Sequence, residues 1–298
     1  MTRLDQNTRI VGLLGYPLHH SFSPAMHNSV FEQLDMGFVY LPLKVKPGRL
    51  SEAIAGLRAL HFVGANVTIP HKEQIIPYLD ALTPEAELVG AVNTLYWNAQ
   101  RQLVGDNTDV VGFDRTLSDA RLDLEGRSVA LIGSGGAARA VAVALARRQV
   151  KEIIVIARRA TALQHFVQDL QQKFPEVLWT THTQSTPVLA QDLERVWLLV
   201  NASPVGMHPH PQESPLSQPL LSMLPRGAHV YDLVYNPPQT QLLQWAQDKG
   251  YTPHEGLYML AYQGAAAFER WTGLQPPIAP MIASLQQQIQ ALQQSTSS

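Results

Sequence analysis

The chain has 298 residues, 45% of them hydrophobic and 15% charged, and 22 Lys+Arg against 24 Asp+Glu leave a formal charge of −2. That balance excludes the basic surface of a nucleic-acid binder, no run of about 18 or more apolar residues offers a membrane span, and residues 1–10 lack the apolar core of a secretion signal. The absence of cysteine excludes disulfides, thiol nucleophiles and Cys-based zinc or iron–sulfur sites, fits a cytoplasmic location, and the length suits two domains of roughly 150 residues.

Short Val/Ile/Leu-rich runs alternate with helix-like stretches. Residues 9–14, 39–45 and 62–69 read as strands, with helices over 24–35 and 49–60 between them. Further on, 110–120 reads as a helix, 128–132 as a strand, 137–148 as a helix, 152–156 as a strand and 160–174 as a helix. Strands over 197–200 and 229–233 and a helix over 240–250 follow, and the Gln- and Ser-rich segment 284–298 reads as a solvent-facing helix that frays. Strand–helix alternation with both strand faces apolar implies an α/β fold with parallel sheets covered by helices.

In the middle of the chain, Gly133-Ser134-Gly135-Gly136-Ala137-Ala138 follows a strand and opens a helix. This is G-x-G-x-x-A, a dinucleotide fingerprint, because a side chain there would keep pyrophosphate from the N–H groups of a helix N-terminus. At the end of the next strand an NAD-binding chain places an acid to grip the ribose hydroxyls. Ala157-Arg158-Arg159 stands there instead, and two guanidinium groups suit a 2′-phosphate. NADP is the expected cofactor. Asn201-Ala202-Ser203-Pro204 follows another strand, at the sheet edge where the nicotinamide half should rest.

A dinucleotide domain names a coenzyme and leaves the reaction open; the flanking motifs carry the rest. In Ser21-Phe22-Ser23-Pro24, Ser23 reads as an N-cap with Pro24 as first helical residue, whereas Ser21 has no capping task. In Asn66-Val67-Thr68-Ile69-Pro70-His71-Lys72, a helix is expected to start at Pro70. Lys72 would then face the positive end of its dipole, which lowers a lysine's pKa and suits acid/base work. His71 beside it is expected at the surface. Gly90-Ala91-Val92-Asn93-Thr94 and Asp106-Asn107-Thr108-Asp109 are turn-and-cap clusters when taken singly. His19 and His20 with His27, or His208 with His210, lack carboxylates at ligand spacing, and no metal site is expected.

As an ordered set, these motifs with Tyr235-Asn236-Pro237-Pro238 and Gly256-Leu257-Tyr258-Met259-Leu260-Ala261-Tyr262-Gln263-Gly264 resemble the shikimate dehydrogenase family from about Ile10 to Gly273. The resemblance implies a reversible NADPH-dependent reduction of 3-dehydroshikimate to shikimate in aromatic amino-acid biosynthesis. It implies a two-lobed fold: a discontinuous α/β substrate domain, 1–108 plus 255–298, and a Rossmann-type doubly wound NADP domain, 109–254. Lys72 and Asp109 are similar to the family's catalytic pair, Ser21 and Ser23 to its substrate-carboxylate binders, and Thr68, Asn93 and Gln263 to the groups that hold the ring hydroxyls. Gly133, Gly135, Gly136, Ala137, Arg158 and Arg159 resemble the NADP contacts, with Val234 and Gly256 near the nicotinamide. The chain departs from the family's usual Asn-Arg-Thr at Ala157-Arg158-Arg159, and from its Thr-Ser at Ser203-Pro204, where proline removes a backbone donor.

Hydride leaves a carbinol carbon as its hydroxyl loses a proton, so a proton acceptor must touch that oxygen. Lys72 is expected to exchange that proton, with Asp109 orienting it. The expected partner is a small molecule, without nucleic acid or membrane, and the candidate assembly is a homodimer. A quinate/shikimate dehydrogenase, a methylenetetrahydrofolate dehydrogenase and a catalytically silent sensor are the competing readings. The Arg158–Arg159 pair, Ser21 with Ser23 and Gln263, and the intact Lys72 and Asp109, respectively, speak against them.

Overall fold

The β-branched runs form the strands, and what lies between them decides how the strands pair. The fold is a computed structural model that describes residues 5–18, 21–183, 186 and 188–296. His19 and His20 therefore lie outside the described residues. The chain divides into two compact units, Met1–Gly112 with Leu260–Ser298, and Phe113–Met259. The division falls inside one helix, Asp109–Asp119, a few residues beyond the boundary expected at 108/109.

In the first unit, β1 (Arg9–Gly15), β2 (Phe38–Lys44), β3 (Gly64–Val67), β4 (Ala81–Leu82), β5 (Thr94–Trp97) and β6 (Leu103–Asp106) form one sheet in the order β2-β1-β3-β5-β6-β4. The expectation of a wholly parallel sheet fails here. Strands β1, β2 and β3 are parallel, but β5 runs antiparallel to both β3 and β6. The cause is a tight reversal after Trp97. The Asn98 carboxamide oxygen accepts the N–H groups of Gln100 and Gln102 at 3.0 and 2.9 Å, and Arg101 takes a left-handed φ of 58°. Such an Asx-type turn sends the chain straight back as a hairpin.

Helices α1 (Ser23–Gln33), α2 (Leu50–Ala59) and α3 (Pro84–Val89) connect these strands. Leu50, Ile54, Leu57, Val67, Ile75 and Leu95 belong to one buried cluster. A second layer brings Phe31 of α1 onto Phe38 of β2 at 4.9 Å and onto Phe268 at 5.1 Å between ring centroids. Phe268 lies far along the sequence, so this layer forms only when the later segment returns.

The second unit starts within α4 (Asp109–Asp119) and contains β7 (Ser128–Ile132), α5 (Gly136–Arg147), β8 (Glu152–Ile156), α6 (Ala160–Lys173), β9 (Leu178–His182), α7 (Leu189–Leu193), β10 (Val196–Asn201), α8 (Gln218–Leu221), β11 (His229–Asp232), α9 (Gln241–Asp248) and β12 (Thr252–Glu255). Its sheet is parallel throughout, in the order β12-β11-β10-β7-β8-β9. This is the doubly wound order, with its reversal between β7 and β10. Ile132, Ile154, Leu199, Val230 and Leu243 are part of one of its buried clusters. The chain returns to the first unit through α10 (Leu257–Thr272) and α11 (Ile278–Thr296). The expected solvent-facing terminal helix is corrected in part: Met281, Ser284 and Leu285 are buried, so one side of α11 is core. Among the described residues, no helix is long and apolar enough to cross a membrane.

Candidate active site

In the first unit, four side chains from four segments meet. The Lys72 ammonium donates to Asp109 Oδ2, and the pair is mostly buried, with side chains 15% and 7% exposed. Asn93 Nδ2 points at Asp109 Oδ1 at 2.9 Å and at Gln263 Oε1 at 3.3 Å. The Asn93 amide cannot be turned over, because its Oδ1 accepts the Thr108 backbone N–H at 2.8 Å and an NH2 group in that place would face a donor. Asp109 opens α4, and its backbone N–H is held by Asn107 Oδ1 at 3.1 Å. A carboxylate at a helix N-terminus is electrostatically favoured, which helps hold this charge in a mostly buried site.

Lys72 does not lie in a helix. After Val67 the chain makes successive turns, and the next helical residues are the short 3₁₀ turn Ile76–Tyr78. The expected helix start at Pro70 is therefore corrected, and with it the dipole argument. What places Lys72 is backbone pinning: its carbonyl accepts the Val92 N–H at 2.7 Å, one residue before Asn93. His71 is corrected too. It is fully buried, with Nε2 2.6 Å from the Val45 carbonyl oxygen; that contact needs the Nε2–H tautomer and ties the Lys72 segment to the end of β2.

Ser21, Ser23 and Thr68 make no direct hydrogen bond to this quartet. Thr68 follows β3, and its N–H donates to the Leu14 carbonyl of β1 at 2.9 Å. Ser23 is the first helical residue of α1, with Phe22 at the cap and no side-chain capping bond. The expected roles are exchanged: Ser21 Oγ accepts the Ser23 N–H in a long 3.4 Å contact, while the buried Ser23 hydroxyl caps nothing.

Behind the quartet lies a layer that sequence reasoning missed. Tyr40 Oη donates to Asn66 Oδ1 at 2.8 Å, and Asn66 Nδ2 donates to the Asn93 carbonyl at 3.1 Å and Thr94 Oγ1 at 3.0 Å. Asn66 and Thr94 are register partners across β3 and β5. A signal was present: each is a polar residue inside an otherwise apolar strand, which demands a buried partner.

In the second unit, the glycine-rich turn joins β7 to α5. Gly133 has φ +120°, and a Cβ there would lie 3.0 Å from the Ala202 carbonyl oxygen, so the turn itself requires glycine. Gly135 is different. Its φ of −99° and ψ of −173° suit any residue, and a Cβ would point into open space. Gly135 is the N-cap of α5, where glycine is favoured but not required, and the open N-terminus beside it could receive a phosphate. Gly136 and Ala137 form the first helical residues. Arg158 and Arg159 follow β8, are exposed, and make no ion pair among the described residues. Both are open to an anion.

Val234 and Gly256 sit where β11 and β12 end. Three donors surround the buried Asp232: Asn201 Nδ2 at 2.8 Å, the Val234 N–H at 3.0 Å and Thr240 Oγ1 at 2.7 Å. Burial nevertheless pushes its carboxyl up to about 6. Asn201 in turn holds Ser203 through both its N–H and its hydroxyl, at 3.0 and 2.7 Å, which orders the loop carrying Pro204. Gly256 packs directly on the Leu233 backbone, where any Cβ would collide. No group of three or more His, Asp or Glu able to hold a metal occurs among the described residues.

Residues 13–95 match the family described as the shikimate dehydrogenase substrate binding domain, and residues 256–286 match the shikimate 5′-dehydrogenase C-terminal domain. A shikimate dehydrogenase (NADP(+)) from Desulforamulus reducens is 41% identical over 294 residues, covering 96% of this chain and 98% of the relative. The chain belongs to the shikimate dehydrogenase family. A crystal structure of a shikimate dehydrogenase in complex with NADP+ superimposes with a TM-score of 0.86 at 36% identity, covering 97% of this chain and 98% of that one. The shikimate 5-dehydrogenase of Thermus thermophilus, in complex with NADP(H) and shikimate, aligns with a TM-score of 0.81 at 33% identity, covering 94% of this chain and all of that one. The likeness to shikimate dehydrogenases spans both units.

Proposed function

We propose that the chain catalyses the reversible NADPH-dependent reduction of 3-dehydroshikimate to shikimate, with the first unit binding the substrate and the second binding NADP. The observation that carries this reading is the buried Lys72–Asp109 pair, braced by Asn93 and flanked by Gln263. Bound NADPH would supply the hydride in the reducing direction, and NADP+ would accept it in reverse. Lys72 donates a proton to the carbonyl oxygen in the reducing direction and takes it from the hydroxyl in reverse, and its charge stabilises the oxygen as it becomes anionic.

Asp109 holds the lysine in place and leaves its Oδ1, bonded to Asn93, facing the neighbouring hydroxyl. Gln263 donates one amide hydrogen to the Leu260 carbonyl at 2.8 Å; its second is available to a ring hydroxyl. Ser21 and Ser23 bind the carboxylate through their hydroxyls, and Thr68 adds a third donor. Gly133, Gly135, Gly136 and Ala137 cradle the pyrophosphate, Arg158 and Arg159 take the 2′-phosphate, and Val234 and Gly256 line the nicotinamide side. The cysteine-free composition suits the cytoplasm.

The deciding experiment is NADPH formation by the purified protein with shikimate, set beside quinate, NAD+ in place of NADP+, and no substrate. Turnover with shikimate and NADP+ well above every other combination is expected. Absence of turnover with shikimate would overturn the reading, and preference for quinate would favour the nearest alternative.

A further inference from the structure

Helix α10 sends Gln263 toward Asn93, and two of its contacts tie it to the segment that carries Asp109. At its crossing with α4, Gly112 faces the backbone of Gln263. A Cβ on Gly112 would stand 2.9 Å from Gln263 N and 3.1 Å from its Cα, closer than packed atoms tolerate. Gly112 is helical and buried, so the close approach of the two helices accounts for its missing side chain. Two turns further along α10, Arg270 Nε donates to Asp106 Oδ2 at 2.7 Å. The other oxygen of Asp106 accepts the Thr83 hydroxyl at 2.6 Å and the Asn107 N–H at 2.8 Å. Asp106 begins the stretch 106–112 that also carries Asp109 and ends at Gly112. Helix α10 is therefore held at two points against the very segment that presents the catalytic carboxylate.

We propose that Gly112 and Arg270 are positioning residues for substrate recognition: together they fix the depth at which Gln263 meets Asn93 and the substrate hydroxyls. This rests on the reading of Gln263 as a substrate contact. Gly112→Ala forces α10 away from α4 and withdraws the amide. Arg270→Gln removes the ion pair from the distal end of the helix, which Trp271 Nε1 still ties to the Leu95 carbonyl at 3.0 Å, and Arg270→Lys keeps a cation for Asp106. Neither residue belongs to the glycine-rich turn of the second unit, so NADP+ affinity serves as the control.

The test is shikimate and NADP+ binding by titration calorimetry, each ligand measured separately, on Gly112→Ala, Gln263→Ala and the double substitution. Loss of one well-placed hydrogen bond should weaken shikimate about tenfold in each single variant, and NADP+ affinity should stay within about twofold. In the double variant, Gly112→Ala should add nothing to Gln263→Ala, since no amide is left to misplace. Wild-type shikimate affinity in Gly112→Ala, or the same loss with and without Gln263→Ala, would overturn the inference. If Gly112→Ala does not fold, the same cycle with Arg270→Gln decides, with Arg270→Lys expected to restore affinity. Wild-type shikimate affinity in Gln263→Ala would remove the underlying reading of the site, and this inference with it.

Discussion

In the proposed reaction Lys72 and Asp109 divide two tasks that a single residue type could not share. The ammonium can give and take a proton, and the carboxylate, fixed by Asn93 and by its own place at the start of α4, determines where that ammonium points. Lys72→Ala should therefore lower kcat by about 10²–10⁴ while shikimate still binds, as measured by steady-state kinetics beside calorimetry. Asp109→Asn should lower kcat and also lower Tm, because its NH2 would face either the Lys72 ammonium or Asn93 Nδ2 in a mostly buried site, even though α4 keeps its Asn107 contact. Arg158→Ala should raise KM for NADP+ far more than for NAD+, since only the former carries a 2′-phosphate; equal effects would refute that assignment. These residues could be picked out of the sequence as candidates because their motifs are contiguous. Asn66 and Tyr40 were not singled out, because their importance arises from pairing across strands that sequence order does not reveal. His71 was misplaced for a related reason: its burial depends on Val45 arriving from another loop.

At the scale of single elements, buried titratable groups predict how the units respond to acid. His27 on α1 is fully buried, stacked on Tyr40 at 4.5 Å between centroids, with neither ring nitrogen bonded. Burial lowers its pKa from 6.5 to about 3. Below about pH 6.5 the unfolded chain takes up a proton that the folded chain refuses, so stability falls as pH drops from about 6.5 toward 3. The full loss is on the order of 5 kcal/mol by the lower limit. His27→Leu should reduce the slope of unfolding free energy against pH by about one proton between pH 6 and 4, as read from urea titrations.

In the second unit, Glu152 of β8 has the same sign by another route. The Arg195 guanidinium grips it at 2.8 Å through two nitrogens, with Thr180 and Ser128 donating as well, and its carboxyl is lowered to about 2. That stabilisation is complete above about pH 4.5 and disappears as pH falls toward 2. Asp232 opposes it: with its carboxyl raised to about 6, the folded unit holds a proton between about pH 4 and 6 that the unfolded chain releases. The strands and longer helices were legible because their apolar periods are strong. The β5–β6 hairpin was not, since four-residue strands carry too little pattern to distinguish parallel from antiparallel pairing.

Across the whole molecule, the proposed function assigns NADP to the second unit and substrate to the first, and a single glycine can test that assignment. Gly135→Val should fold normally, because the backbone there suits valine and its side chain would enter open space. It should abolish the rise in Tm caused by NADP+ while preserving the rise caused by shikimate. In the wild type, NADP+ at about 100 times its Kd should stabilise by about 2.7 kcal/mol. A retained NADP+ response would mean that the turn does not hold phosphate.

The interrupted course of the first unit also orders events during synthesis. Residues 113–259 leave the ribosome before Gln263, Phe268 and Arg270 do, so the sheet of the second unit can close while that of the first still lacks α10. Until α10 emerges, Phe31 has no Phe268 to cover it and Asp106 has no guanidinium. A growing chain would thus complete its second unit before its first, and the face of α1 that carries Phe31 waits for Phe268 in the interval.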